Sequence, residues 1–243
     1  KTDYIATINH YLTDSNGNNS TLKETENINN LTYNEVLRGE NYKKTYVGYT
    51  FDKSIPETII VTTGINELNL YYKANTNTEY RVNHYKQNID DENYTLENTQ
   101  VLHGETGTLV TPDTMTYEGF TIPPKQTITI EANGSSVVNY YYSRNSYNVS
   151  LIRGTGISKV LGSGTYKYEQ EVTIDAEVIE GYTWNNWTGD KESSEQRYTF
   201  IMPAEDVEIT ANATANTYTV VYDGNGATSG NTETSAHTYD ESK

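Results

Sequence analysis

Two segments of the chain place apolar residues at every second position. Residues 68–72 read Leu-Asn-Leu-Tyr-Tyr, and residues 138–142 read Val-Asn-Tyr-Tyr-Tyr. Successive side chains of a β-strand point to opposite faces, so this pattern predicts strands with one packed face and one face toward water. An Asn-Gly pair at 133–134 separates the second segment from another strand-like run at 127–131, which predicts a hairpin. A similar run precedes the first segment, and we predict a hairpin there too.

Four landmarks occur twice along the chain in the same order, which predicts an internal repeat. The paired landmarks are residues 7–11 with 80–85, 36–40 with 101–105, 46–50 with 117–121, and 58–72 with 127–142. The interval between paired landmarks changes along the chain. We therefore expect a longer loop at residues 13–31 of the first repeat and a longer connection at residues 106–116 of the second.

A third, divergent unit follows, and a fourth begins near the end of the sequence. Asn77, Asn145 and Asn216 each stand shortly before a Tyr that opens the next unit. The predicted modules are residues 1–77, 78–145 and 146–216, with residues 217–243 as the truncated start of a fourth. Because domains this small bury little of their own surface, we expect neighbouring modules to lean on each other. We also expect the chain to be part of a longer array.

The units resemble known repeats of bacterial surface proteins. The first two resemble the mucin-binding-protein (MucBP) type, in which a first strand ending in an aromatic residue precedes a Gly-Tyr or Gly-Phe pair and a Tyr-rich last strand. The third resembles the divergent internalin-B-type repeat through residues 181–184, 187–189 and 200–207. Residues 222–226 read Tyr-Asp-Gly-Asn-Gly and resemble the opening of the related Listeria-Bacteroides repeat.

These resemblances imply a mainly β fold made of tandem, β-grasp-like (ubiquitin-like) modules in an elongated array. They imply a secreted protein attached to the cell wall of a Gram-positive bacterium, and they do not imply catalysis. We expect at most one short helix per module. A candidate lies at residues 111–115, where Thr111 can cap and Pro112 can take the first helical position. Three such modules in line would span on the order of 90 Å.

Charge and composition exclude several classes of function. The chain has 17 Lys+Arg against 33 Asp+Glu, a formal net charge of −16, whereas nucleic-acid binders need a basic face. Apolar runs fall far short of the roughly 20 residues of a membrane-spanning helix, so we expect no membrane insertion in this fragment. The absence of cysteine excludes disulfides, thiol catalysis and Cys-based zinc sites. We expect an extracellular monomer.

We predict no catalytic residue, no metal site and no cofactor. His10 and His84 occupy equivalent places in different repeats, so they should lie too far apart to bind one ion. Residues 14–18 and 223–226 are rich in Asp, Asn and Gly. They suit weak calcium binding, although turn formation explains them without a ligand. We find no Ser-His-Asp set, no converging pair of acids, and no repeated Lys-Asn pairing for an isopeptide bond.

Tyrosine supplies the remaining candidates for binding, because the chain has 23 Tyr and only 3 Phe. Neighbours on a strand alternate faces, so rings such as Tyr71 and Tyr141 should point outward. Outward rings can pair across strands, which needs no ligand, or they can stack on sugars. We expect Trp184 in the core and Trp187 as a cap over the hydrophobic layer. The candidate glycan or protein contacts are Tyr71, Tyr141 and Trp187.

The leading functional hypothesis is a non-catalytic repeat region that serves as a semi-rigid stalk or spacer on the bacterial cell surface. One alternative is an adhesin module that binds host mucin, other glycoprotein glycans or another surface protein. A second alternative is an accessory region of a large secreted enzyme. The first two differ in whether the outward tyrosines have a ligand, and the third depends on domains outside this sequence.

Overall fold

The computed structural model describes residues 2–242, which fall into two compact units. Unit 1 comprises Lys1–Lys86, Tyr94–Met115 and Pro123–Tyr141, and unit 2 comprises Gln87–Asn93, Thr116–Ile122 and Tyr142–Lys243. The described residues form 21 strands, one 3-10 helix at Gly39–Tyr42 and no α-helix. The prediction of a mainly β fold is therefore confirmed.

The strands are β1 Thr2–Thr13, β2 Thr21–Thr32, β3 Val36–Arg38, β4 Tyr49–Ile55, β5 Thr58–Ile60, β6 Glu67–Ala74, β7 Thr78–Gln87, β8 Tyr94–Gly104, β9 Leu109–Val110, β10 Phe120–Thr121, β11 Ile128–Thr129, β12 Val137–Arg144, β13 Ser146–Arg153, β14 Ile157–Leu161, β15 Gly164–Lys167, β16 Glu171–Val178, β17 Tyr182–Gly189, β18 Tyr198–Ile201, β19 Val207–Ala215, β20 Thr217–Val220 and β21 Ser235–Thr238. The helical turn expected at residues 111–115 is wrong, because this segment has no regular secondary structure. The Pro112 carbonyl instead accepts a hydrogen bond from the Tyr140 hydroxyl, at 2.7 Å.

In unit 1, the first repeat forms a four-stranded sheet of order β2-β1-β6-β4. β1 is antiparallel to β2 and parallel to β6, and β6 is antiparallel to β4. One face of this sheet carries a hydrophobic core that includes Ile8, Leu70 and Tyr72, all fully buried. The predicted alternation along residues 68–72 is confirmed, since Leu68, Leu70 and Tyr72 are buried while Asn69 and Tyr71 are only half-buried.

The longer loop expected at residues 13–31 is wrong, because β2 occupies most of it. β2 forms a hairpin with β1, in which Thr7 pairs with Asn27 and Tyr11 with Leu22. β2 is the edge strand of the sheet, and of its side chains only Leu31 is buried. A polar edge strand has no two-residue apolar period, so its sequence cannot be told from that of a loop.

The second repeat places its strands in the same order. β8, β7 and β12 are neighbours, as β2, β1 and β6 are, and Val82, Val138 and Tyr140 of unit 1 are buried on one face. In unit 2, β10 pairs with the end of β12, with Phe120 opposite Arg144. The strand arrangement of the first repeat is therefore repeated.

Two of the sequence landmarks do not correspond in the structure. β3 pairs with β5, and the pair with the same position in the second repeat is β9 with β11. Residues 101–104 instead end β8, so they are not equivalent to β3. With this correspondence, residues 106–116 contain β9 and are no insertion. The match of residues 36–40 with 101–105 is short and joins β3 of the first repeat to the end of β8 in the second, which are different strands of the fold.

The predicted hairpins before residues 68–72 and 138–142 are also wrong. β5 and β11 pair with β3 and β9, whereas β6 and β12 join the four-stranded sheets. The Asn-Gly turn at 133–134 therefore carries the chain from one sheet to another. A local turn signal fixes where the chain reverses but not which strand the next segment pairs with.

Unit 2 contains a further four-stranded sheet, of order β15-β13-β19-β17. β13 is antiparallel to β15 and parallel to β19, and β17 is antiparallel to β19, as in the first repeat. A second sheet of order β14-β16-β18 shares its core, which includes the fully buried Ile174 and Ile209. β20 and β21 form a separate antiparallel pair. β7 and β13, which open the second and third predicted modules, belong to different sheets.

Candidate functional site: the linker joints and the outer tyrosines

A Gly-aromatic-Thr sequence begins an edge strand at three places in the chain. We call residues 48–50, 119–121 and 181–183 the Gly-aromatic-Thr turns. Each glycine has a left-handed backbone, with φ of +78°, +72° and +87° for Gly48, Gly119 and Gly181. Only glycine adopts this conformation without strain, which explains its place in each turn.

Each turn holds one asparagine from the segment that leaves the repeat, and we call Asn75, Asn145 and Asn216 the linker asparagines. The backbone N–H of each donates to the carbonyl of the turn glycine, at 2.9, 2.8 and 2.8 Å for Asn75 to Gly48, Asn145 to Gly119 and Asn216 to Gly181. The turn threonine donates its hydroxyl to the side-chain oxygen of the same asparagine, at 2.7, 2.6 and 2.6 Å for Thr50, Thr121 and Thr183.

This geometry corrects one residue of the boundary signature. The predicted boundary signature aligns Asn77 with Asn145 and Asn216, because all three asparagines stand shortly before a Tyr. Asn75 makes the contacts that Asn145 and Asn216 make, whereas Asn77 is exposed. The spacing to the next aromatic therefore identified the right linker but the wrong asparagine.

The carbonyl of each linker asparagine continues the chain of backbone hydrogen bonds into the following segment. It accepts from the N–H of Thr106, Tyr168 and Tyr239, each at 2.9 Å. These residues stand second in three tight turns, residues 105–108, 167–170 and 238–241, which we call the docking turns. The third residue of each is left-handed, with φ of +80°, +65° and +58° for Gly107, Glu169 and Asp240. Each joint thus consists of a Gly-aromatic-Thr turn, a linker asparagine and a docking turn.

Close packing on the glycine completes each joint. A Cβ atom added at Gly119 would lie 2.2 Å from the Tyr168 ring, and one at Gly181 would lie 2.5 Å from the Tyr239 ring. At Gly48 the neighbour is Ala132, 2.7 Å from such a Cβ. These distances are too short for any side chain, so each joint excludes a side chain at this glycine as well as disfavouring one by its backbone conformation.

Side chains reinforce the three joints to different degrees. At the first, Glu105 accepts from the Ser15 N–H and hydroxyl at 2.7 and 2.6 Å. At the second, Arg144 lies 4.7 Å over the Phe120 ring and donates to the Tyr168 carbonyl at 2.8 Å. At the third, the Tyr182 hydroxyl donates to Asp240 at 3.3 Å.

Burial and neighbouring carboxylates raise the pKa of two phenols at the joints. Burial raises the pKa of Tyr49 at the first joint, and the Glu105 carboxylate raises it further. Burial likewise raises the pKa of Tyr182 at the third joint, followed by the effect of the Asp240 carboxylate. A neutral phenol beside a carboxylate can donate a hydrogen bond to it, as Tyr182 does to Asp240.

Two of the three predicted contact residues lie on the outer faces of the unit 1 sheets. Tyr71 is half-buried and stacks on Tyr11, with ring centroids 5.3 Å apart and an angle of 17°. Tyr141 is 48% exposed and stacks on Tyr85 at 5.0 Å and 20°. Tyr94 stands edge-on to Tyr141 at 5.2 Å. Both tyrosines therefore take part in cross-strand pairs of the kind that stabilise a sheet.

A row of amide side chains runs beside each tyrosine pair. In the first repeat, Thr25 donates to Asn9 at 2.7 Å, and Asn9 donates to Asn69 at 2.9 Å. In the second repeat the same row is formed by Thr99, Asn83 and Asn139, with distances of 2.8 and 2.9 Å. These polar groups already bond to one another, so a ligand would have to use their remaining donors and acceptors.

Trp187 is wrong as a contact candidate, because its side chain is fully buried in the core of unit 2. Its indole N–H donates to the Gln196 carbonyl at 3.0 Å, and Trp184 packs against it at 5.3 Å. Trp184 itself is only half-buried. The expected roles of the two tryptophans are therefore reversed, because β17 turns the side chain of Trp187 toward the core.

The histidines and the acidic loops have structural partners. His10 and His84 are fully buried, and their Nε2 atoms lie 3.3 Å from Glu26 and Gln100. The Asp14 carboxylate accepts from the backbone N–H of Asn18 at 2.8 Å and so closes its own loop. Between residues 2 and 242, no three His, Asp or Glu side chains converge to hold a metal ion.

The joints are the structural feature that the sequence does not predict. The sequence marks the Gly-aromatic-Thr turns as repeat landmarks and the asparagines as boundary markers, but no local pattern connects the two. The signal was present: the turn glycines are followed 27, 26 and 35 residues later by an asparagine at or near a repeat boundary. Local patterns cannot reveal that contact, because it joins residues far apart in the chain.

Comparison with known proteins gives one family match. Residues 147–217 match the divergent InlB B-repeat domain, which confirms the resemblance predicted for the third unit. No curated protein matches the chain. Within residues 2–242, no helix has the length and apolarity needed to cross a membrane.

Several solved structures of surface proteins are similar to the chain at low identity. The Bacillus anthracis TIE protein is 12% identical with a TM-score of 0.37, covering 87% of this chain and 51% of its own. The type 2 repeat of the mucus binding protein MUB from Lactobacillus reuteri is 10% identical with a TM-score of 0.24, covering 85% and 100%. The Streptococcal ancillary pilin is 8% identical with a TM-score of 0.23, covering 79% and 80%. The chain thus spans about half the length of the TIE protein, and identities this low establish no function. The family match is limited to residues 147–217, which match the divergent InlB B-repeat domain.

Proposed function

We propose that the chain is a non-catalytic repeat region of an extracellular, wall-attached bacterial surface protein, and that it works as a semi-rigid spacer. The proposed modules are residues 1–77, 78–145 and 146–216, followed by a fourth that begins at residue 217. We infer a β-grasp-like arrangement for the first three modules. It is supported in the first and third by a hairpin strand, a parallel central pair and an antiparallel edge strand, in the orders β2-β1-β6-β4 and β15-β13-β19-β17.

The observation that carries this proposal is the threefold recurrence of the linker joint. A short linker without partners would let successive modules swing, because each backbone residue gains about 1–2 kcal/mol of conformational freedom when it is released. In each joint the linker asparagine is instead held by a backbone hydrogen bond on both sides, at 2.8–2.9 Å. A spacer that transmits position needs stiff connections, and these joints provide them.

Substitution of a turn glycine tests this function. Gly119→Arg places a Cβ where the Tyr168 ring lies and forces a left-handed backbone on a non-glycine residue. We expect small-angle X-ray scattering to change from the profile of a stiff, extended particle to that of a flexible chain. Hydrogen exchange at residues 167–170 should accelerate, while the buried strands around Ile174 keep their protection.

Gly226→Arg is the matched control. Gly226 has a similar φ of +85°, but no atom lies within 4 Å of an added Cβ. The substitution therefore strains the backbone in the same way but disrupts no joint. A compact scattering profile for the unsubstituted chain, or equal behaviour of the two variants, would contradict the spacer role.

A second candidate function is adhesion through the outer tyrosines, and one observation favours it. Tyr141 remains 48% exposed although it contacts both Tyr85 and Tyr94, so part of its ring is accessible to a sugar or a protein side chain. A glycan array probed with the full chain tests this candidate. Glycan binding would support this candidate if Tyr141→Ala abolishes it and Tyr71→Ala leaves it unchanged. An array without any binding would contradict adhesion to glycans and leave the spacer as the proposed role.

A further inference from the structure

The first repeat contains a fourth docking turn, at residues 32–35. Its Glu35 N–H donates to the Thr32 carbonyl at 3.1 Å, and Asn34 is left-handed with φ of +66°. The Asn34 N–H donates to Val61 at 2.9 Å, as Gly107 does to Ile130 and Glu169 to Met202. Tyr33 therefore stands where Thr106, Tyr168 and Tyr239 stand in the three joints.

The ring of Tyr33 lacks the environment that its equivalents have. Tyr168 and Tyr239 each cover the glycine of a Gly-aromatic-Thr turn and stand edge-on to its aromatic ring, at 6.1 and 5.7 Å. Tyr33 is 55% exposed and has a tilted contact with Tyr4 at 6.1 Å. Within residues 2–242, the linker asparagine beside each of the three Gly-aromatic-Thr turns already accepts a hydrogen bond from another docking turn.

The turn itself does not need this ring. The Glu35 carboxylate closes the turn by accepting from the Thr32 N–H and hydroxyl, both at 2.9 Å. In the second repeat the same position is filled by Thr106, whose hydroxyl bonds to Thr78 at 2.7 Å, so a small polar residue suffices for the local fold. An exposed aromatic ring at this place is typical of a surface that another body covers.

We propose that Tyr33 is the docking surface for a further module of the same kind, joined to the N-terminal side of β1. The partner is defined by its chemistry: a Gly-aromatic-Thr turn whose bare glycine receives the Tyr33 ring. At the second and third joints an asparagine directly precedes the next strand, whereas this sequence has Lys1 directly before β1, so the tested extension supplies the asparagine at that position. This is the combination that meets Tyr168 and Tyr239 within the chain. The inference rests on the proposed role of the joints and adds the identity of a partner.

The test extends the full chain with a second copy of residues 78–145, placed so that the copy's Asn145 replaces residue 1 and directly precedes Thr2. Hydrogen exchange is compared at residues 32–35 with and without the extension. We expect exchange at Tyr33 to slow at least tenfold, and nitration of Tyr33 to fall by a similar factor. The matched control carries Gly119→Arg in the added copy alone, which should remove both effects.

Three results would overturn the proposal. One is unchanged exchange at Tyr33 while the strands of the added copy are protected. Another is equal slowing with and without Gly119→Arg. If the copy of residues 78–145 does not fold, an extension with residues 146–216, which carries the Gly181 turn and Asn216, is used instead, and no slowing with that copy overturns the proposal.

The unextended chain provides the remaining check. Slowing at Tyr33 that rises with protein concentration would identify a second copy as the occupant and would contradict a module joined before β1. Gly119→Arg in the unextended chain tests the spacer role without involving Tyr33. Failure of the spacer role and failure of the Tyr33 inference are therefore distinguishable.

Discussion

The first and second joints make the same backbone hydrogen bonds with different side chains. At the first, Ala132 covers the turn glycine and Ser15 bonds to Glu105. At the second, the Tyr168 ring covers the glycine, and the guanidinium of Arg144 binds the docking turn. The shared backbone hydrogen bonds fix the geometry of a joint, while the differing side chains set how stable it is. A repeat protein can thus keep the geometry of its joints and vary their stability.

Arg144→Ala should have the largest effect on this comparison. The Arg144 side chain is only 8% exposed and donates to Gln87, Tyr168 and Glu169 at 3.1, 2.8 and 2.5 Å. Because hydrogen bonds of charged groups contribute about 1.5–3 kcal/mol, we expect the local free energy of opening at residues 167–170 to fall by about 3 kcal/mol. Native-state hydrogen exchange measures this change.

Arg81→Ala is the control for Arg144→Ala. Arg81 forms an exposed ion pair with Glu79 at 2.9 Å and lies outside the joints, and such pairs contribute less than about 1 kcal/mol. Equal losses in the two variants, or opening at residues 105–108 as large as at 167–170, would contradict the assignment of Arg144 to the second joint.

Alanine at the linker asparagines should have a medium effect that is the same at all joints. Asn75→Ala, Asn145→Ala and Asn216→Ala each remove one hydrogen bond from a turn threonine and leave the backbone bonds intact. We expect each to lower the opening free energy of its own joint by about 1 kcal/mol. Asn77→Ala, at the exposed residue nearby, should have no effect. A response at Asn77 in place of Asn75 would refute the assignment.

Ser15→Ala should have a smaller effect, limited to the first joint. It removes the hydroxyl bond to Glu105 at 2.6 Å, while the backbone N–H of residue 15 still donates to that carboxylate at 2.7 Å. We expect hydrogen exchange at residues 105–108 to accelerate by up to about fivefold, because one of two bonds remains. Ser135→Ala, which removes a local bond to Asn133, is the control. Acceleration at residues 167–170 would show that the joints are coupled.

The smallest effect is a pH dependence that distinguishes two docking turns. Hydrogen bonds from Thr32 lower the pKa of Glu35 below its ordinary value of 4.5. The equivalent residue of the second joint is the neutral Gln170, whose side-chain oxygen accepts from the Lys167 N–H at 2.9 Å. A carboxylate with a lowered pKa in the folded state stabilises the fold above its unfolded pKa, and this contribution is lost as pH falls through the lowered value.

Exchange at residues 32–35, corrected for the intrinsic rate, should therefore accelerate below about pH 4.5, while exchange at 167–170 shows no such step. Glu35→Gln should remove the step, because glutamine keeps the hydrogen-bond acceptor without the charge. A step that persists in this variant would assign the pH dependence to another group.

Sequence reading predicted the strands whose two faces differ most. Residues 68–72 and 138–142 alternate because one face packs on a core, and the alternation survives in the fold. β2 was missed because it is a polar edge strand, and the hairpins were wrong because β6 and β12 pair with strands far away in the chain. Periodicity reports local exposure and carries no information on the pairing partner.

The candidate site was predictable only in its parts. The outward direction of Tyr141 follows from strand alternation, and its exposure agrees. Trp187 was misplaced because the sequence does not tell which face of β17 meets the core. The joints needed coordinates, since Gly119, Asn145 and Tyr168 converge from three separate segments.

The amino-acid sequence by itself determined that this protein is mainly β, repeats internally, and carries a Gly-aromatic-Thr sequence in each of its first three units. Those properties follow from side-chain volume, hydrogen-bonding groups and backbone freedom, which belong to single residues and their neighbours. Only the tertiary structure decided that the linker asparagine is held by the glycine turn and that a following turn closes over both. Such contacts depend on the distance between remote segments, and local chemistry does not specify that distance.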